Sequence, residues 1–291
     1  METALILCRF LQFALAMLLW GAAVLRAGAF PADLLQASSA LAVRLGRFAA
    51  GVNLLAALAW LAVEAALAGG GPWDAVNPDV LAALLTGSRF GQVWVLHLAL
   101  AVVLLGVSLA DRPRGLALSA GLNLGSLGLT GHAVLPGGWI GLVHQGLSVL
   151  HLLAAGFWLG GLAVVLPFLT SGRLTEAGAP VLRYFSRWGH LAVALVLATG
   201  VAKAALILTA RGGFDPAAGY LGFLLVKSVA VLVMVGLALR NRYRHVPRLS
   251  GSEREVALDA LRRGTLGEIG LAVAVLALVS VLATWSPFAA T

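Results

Sequence analysis

Residues 219–248 read GYLGFLLVKSVAVLVMVGLALRNRYRHVPR: twenty-one positions with one charge, Lys227, then four arginines within nine residues. The bilayer core holds no water, so an apolar run of this length must satisfy its backbone internally, and a helix does so unaided. The arginines mark where the lipid ends. Three more follow by Arg263, making seven from Arg240 onward.

The same pattern recurs on both sides of this stretch. The chain is 60% hydrophobic and 11% charged over 291 residues. Its apolar runs predict eight helices over about 4–26, 44–68, 88–110, 115–132, 142–169, 187–210, 219–240 and 266–286. The fold class is all-α, a polytopic membrane protein whose single transmembrane domain covers 1–291. The first run follows only Met1 and Glu2 and lacks a basic leader, so it reads as a helix rather than a cleavable signal. Gly121-x-x-x-Gly125 and Gly156-x-x-x-Gly160 predict close helix approach. The connection over about 241–265 reads as a basic loop with a short surface helix.

The net charge of +8 sits in the connections, which explains it without nucleic acid. Loops after the first, third, fifth and seventh helices hold fifteen arginines; the opposite side has Arg9, Arg89 and Arg211. By the positive-inside rule both termini face outward, to the periplasm of a bacterial inner membrane. A lone cysteine, Cys8, excludes a disulfide framework and any CxxC site. No catalytic constellation is visible, and the chain reads as a non-enzyme.

The chemistry lies with the histidines. His190 and His245 fall on the arginine-rich side, and His97, His132, His144 and His151 in the outer half. His132 and His144 are tethered by a short uncharged loop. His151 lies two helical turns inward from His144, about 12 Å below the outer end, and His97 about 13 Å below it. Neutral imidazole suits copper, zinc, iron and nickel. These four form the candidate metal ladder. Met17 is a further sulfur and Glu64 an intramembrane carboxylate; Lys227 is expected to pair with an acid such as Glu64. Asp74, Asp79 and Asp215 make the outer side acidic, and Arg9, Gln12, Asn53 and Asn123 read as interhelical glue. Glu268 reads as the opening of the last helix, where a carboxylate suits the helix dipole. Trp20, Trp60, Trp73, Trp139, Trp188 and Trp285 read as interfacial belts.

Several stretches carry a family resemblance. They are Phe90-Gly91-Gln92-Val93-Trp94; Gly131-His132-Ala133; the run from His151 to Leu162 (HLLAAGFWLGGL); Phe185-Ser186 with Thr199-Gly200; and Leu224-Leu225-Val226-Lys227 running on to Asn241-Arg242 and Pro247. With these the chain resembles the copper resistance D (CopD) family of bacterial inner-membrane proteins. The resemblance implies an eight-helix protein of copper homeostasis that moves copper from periplasm to cytoplasm, often with a periplasmic copper-binding partner. It carries over His132 and His151 by motif. Two alternatives stay open: a haem b electron-transfer protein with His97 and His151 as axial ligands, and a scaffold for a periplasmic copper chaperone.

Overall fold

The computed structural model describes residues 1–30, 40–110, 112–130, 138–170, 178–210, 219–250 and 252–282. These form α1 (Glu2–Gly28), α2 (Ala40–Gly69), α3 (Pro78–Gly87), α4 (Arg89–Leu109), α5 (Pro113–Leu127), α6 (Trp139–Thr170), α7 (Gly178–Ala210), α8 (Gly219–Arg240) and α9 (Arg254–Leu282). Among the described residues there is no strand. Seven of the helices, all but α3 and α5, are long and apolar enough to cross a membrane.

Three differences from the sequence reading have physical causes. First, α5 is 15 residues long, about 22 Å at the helical rise, against a hydrocarbon core of roughly 30 Å. It ends at Leu127, where the Gly128 N–H turns back to the carbonyls of Gly125 and Ser126. Second, α9 starts at Arg254 rather than near 266. Its first turns are amphipathic, with Ala257 and Leu261 buried while Arg262 and Arg263 face out. Hydropathy alone reads that stretch as loop. Glu268 is therefore mid-helix and gains nothing from a helix N-terminus. Third, α3 is additional. Asn77 caps it by accepting from the Asp79 N–H at 3.1 Å, and Pro78 occupies its first turn.

Helix α1 is the hub, packed against α2, α5, α6 and α9. Glycines set its distance from α6. A Cβ on Gly21 would lie 2.6 Å from the Gly160 Cα, and one on Gly156 2.6 Å from a Leu124 methyl. The Trp20 indole fills the space that Gly121 leaves and donates to the Leu153 carbonyl at 2.8 Å. Gly128 leaves room for the Val149 backbone, and both glycine-spaced motifs lie at helix contacts, the first through Gly121 against Trp20 and the second through Gly160 against the Met17 backbone.

Two ends of the bundle follow from the chain path. Met1, Gly69 and Trp139 mark the terminal face; Arg26, Arg47 and Arg112 mark the arginine face. Trp60 and Trp20 are not belt residues: Trp60 is buried against Trp94, and Trp20 lies in the α1–α6 seam. Trp73, Trp139 and Trp188 are exposed, and Trp285 lies outside the described residues.

Candidate functional site

The polar side chains inside the bundle fall into four groups. The most deeply buried centres on His97. Its ring, Gln12, Asn53 and Asn123 have no exposed surface. The Ser126 hydroxyl donates to the Asn123 carbonyl at 2.7 Å, so it accepts from His97 Nδ1–H at 2.8 Å. His97 Nε2 is then the lone-pair nitrogen, and it accepts from the Gln12 amide at 2.9 Å. The same amide donates to Asn53 Oδ1 at 3.0 Å, and Asn53 donates to Asn123 Oδ1 at 3.1 Å. Four helices, α1, α2, α4 and α5, are tied at one level, and both His97 nitrogens are occupied.

Nearer the terminal face, Glu64 meets Arg9 at 3.7 Å and accepts from Trp60 Nε1 at 3.0 Å. The Arg9 guanidinium lies 5.3 Å from the Trp60 ring centre. Lys227 is thus not the partner of Glu64. Arg9 on the adjacent α1 is, because the antiparallel α1–α2 pair brings the two together. Met17 is buried in the α1–α6 seam and packs with Trp60, Trp94 and Leu124.

The third group lies on α6 and α7. The Thr199 hydroxyl donates to the Leu195 carbonyl one turn back, so it accepts from His151 Nδ1–H at 2.8 Å. That bond sets the tautomer, and Nε2 has no hydrogen-bond partner among the described residues, so its lone pair is open there. Gly200 makes room for the ring, since a Cβ there would lie 3.8 Å from His151 Cε1. His144 sits two turns toward the terminal face on the same side of α6. Lys203 stands one turn beyond Thr199 on the same face of α7, and Lys227 lies at a similar depth on α8.

The fourth group was missed in the sequence. Glu268 is 2% exposed and accepts from Trp158 Nε1 at 3.2 Å and from the Asn241 amide at 2.9 Å. Asn241 opens a turn of π-helix, Asn241–His245, that widens the end of α8. Gly264 leaves space for its side chain. The available signal was Asn241 within the motif run, four residues before His245.

The four histidines of the predicted ladder are therefore not equivalent. His144 and His151 share one side of α6 with open lone-pair capacity at His151. His97 faces α1 and α5 in a separate network. His132 lies outside the described residues. Among the described residues no three His, Cys, Asp or Glu side chains are grouped closely enough to hold a metal ion. Nothing supports a haem held between His97 and His151, because His97 has no free nitrogen.

A bundle of this kind, with glycine seams and polar networks buried at membrane depth, defines a multi-pass helical membrane protein. Its family follows from comparison with known proteins. Residues 1–142 match the family model of the copper resistance protein D-like N-terminal domain, and residues 179–282 that of copper resistance protein D. The chain is 36% identical over 287 residues to the inner membrane protein YebZ of Escherichia coli (strain K12), covering 96% of this chain and 97% of that one. It is 27% identical over 251 residues to the copper resistance protein D of Pseudomonas syringae pv. tomato, covering 80% of each. No solved structure matches the chain. The chain belongs to the copper resistance protein D family, as the resemblance in its motifs implied.

Proposed function

We propose that this protein takes up copper at the periplasmic side of a bacterial inner membrane and passes it toward the cytoplasm. The terminal face is the periplasmic one, both termini lie there, and α5 with the residues after it completes an eighth crossing. Copper is bound by His132, His144 and His151. The observation that carries this reading is the His151 ring. Its Nδ1 is committed to Thr199, its Nε2 lone pair is open, and His144 lies two turns above it. His97 supports the bundle rather than the metal, since coordination would cost it the Gln12 bond. Met17 acts in packing, and Glu64, neutralised by Arg9, contributes charge balance at the entrance. The acidic turn around Asp74 and Asp79 suits docking of a periplasmic copper-binding protein. The names of the relatives support the copper and inner-membrane parts of this reading.

The test is copper uptake by cells and copper bound to the purified chain, for the wild type and for His144→Ala and His151→Ala. Both quantities should fall in each variant, while helical content and yield stay unchanged. Uptake and binding equal to wild type in the folded variants would remove these ligands from the pathway.

A further inference from the structure

Lys203 and Lys227 lie inside helices that cross the membrane, yet neither has a hydrogen bond or ion pair among the described residues. An unpaired ammonium at membrane depth is costly and marks a place where charge is handled. Here it stands beside the imidazoles assigned to a cation, which it would repel. The register is specific. Lys203 is one turn beyond Thr199, the residue that holds His151, so it projects from the same face of α7. Because α6 and α7 run antiparallel, that turn lies at a level between His151 and His144. Helix α7 leans on α6 and α8 leans on α9, with no comparable packing between α7 and α8 among the described residues. Lys227 lies about 12 Å into α8 from the end that adjoins the close of α7, near the depth of Lys203, which is about 10 Å from that close.

The donor set points the same way. Soft ligands favour copper(I), and this chain keeps its own away from the site. Met17 is packed in the α1–α6 seam, Met234 is buried against Leu25 and Phe157, and Cys8 of α1 packs in the cluster that holds Leu5 and Trp60. Two imidazoles and two ammoniums make a poor receptor for a bare cation but a good one for a metal carrying its own anion.

We propose that copper occupies this site as a complex with a small soft anion, a halide, with His144 and His151 on the metal and Lys203 and Lys227 on the anion. This rests on the copper reading above and specifies the form of the cargo. The lysines offset the anion's charge, the complex is neutral or negative, and it enters without the penalty that a bare cation would meet between two ammoniums.

Copper-edge X-ray absorption of the purified full-length chain, loaded with copper(I) in bromide buffer, tests it, because bromine scatters far more strongly than nitrogen or oxygen. A copper–bromine shell should appear together with imidazole nitrogen. It should be lost in Lys203→Gln/Lys227→Gln and kept in Lys203→Arg/Lys227→Arg, with copper still held by imidazole. A nitrogen-only shell in wild type overturns this proposal and leaves the copper reading standing. So does a bromine shell that persists unchanged in the double Gln variant, which would mean that the lysines merely extend toward the terminal face. Copper bound independently of His144 and His151, or not bound at all, overturns both.

Discussion

At His97 the Nε2 lone pair is spent on the Gln12 amide, whereas at His151 Thr199 takes the Nδ1 proton and leaves Nε2 open. Different outcomes follow from substitution at each. Thr199→Val removes the acceptor that fixes the His151 tautomer. Copper affinity should fall by about 10–100-fold, the usual effect of losing an outer-shell partner, with the folded yield unchanged. Competition with a chromophoric chelator measures it, and unchanged affinity would show that Thr199 does not orient the ring. His97→Ala leaves the Gln12 amide and the Ser126 hydroxyl each one hydrogen bond short and opens a cavity in a fully buried site, at a cost of roughly 2–4 kcal/mol. The thermal midpoint in detergent should drop while copper per folded molecule stays constant; copper lost from folded His97→Ala would return His97 to the ligand set. The sequence could not separate these two residues. Each is a single polar position in an apolar helix, and the partners that decide their roles lie far along the chain, 85 residues away for Gln12 and 48 for Thr199.

Among the elements, the α1–α6 seam is held at backbone contact by Gly21, Gly156 and Gly160. Gly21→Ala places a methyl 2.6 Å from the Gly160 Cα, where only backbone movement relieves it, and should cost about 1–3 kcal/mol. Gly46→Ala is the matched control on α2, since its Cβ meets nothing within 4 Å. Parallel detergent melts should show a lowered midpoint for the first and none for the second; equal shifts would mean that helix propensity rather than contact governs both. The Gly156-x-x-x-Gly160 half of the seam was legible, because two small residues a turn apart announce a close approach. Gly21 was not, being an isolated glycine after Trp20. The start of α9 was hidden for a related reason. Arg254 to Arg263 form an amphipathic helix of low hydropathy, and reading them as loop put Glu268 at a helix start. Its actual position, mid-helix between Trp158 and Asn241, makes it a fixed element of the α6–α8–α9 junction.

For the whole molecule, class and helix order were readable because lipid demands long apolar runs and confines arginine to their ends. The number of crossings was less readable, because glycine and serine in 119–131 keep the run apolar enough to look continuous while α5 itself stops at Leu127. Parity converts this uncertainty into a measurement. Helix α5 travels back from the arginine face, since its Ser126 reaches His97 in the first half of α4. If it and the residues after it complete a crossing, eight passes place both termini on one side; seven would place them on opposite sides. The fifteen-to-three distribution of arginines then makes the shared side periplasmic. In a Cys8→Ser background, Thr3→Cys and Thr291→Cys should both react with a membrane-impermeant maleimide in spheroplasts, and Ser252→Cys only after lysis. Labelling of one terminus alone would rule out the eighth crossing. Labelling of Ser252→Cys with neither terminus would keep eight crossings but invert the protein, moving the His144 entrance to the cytoplasm and reversing the direction of copper movement.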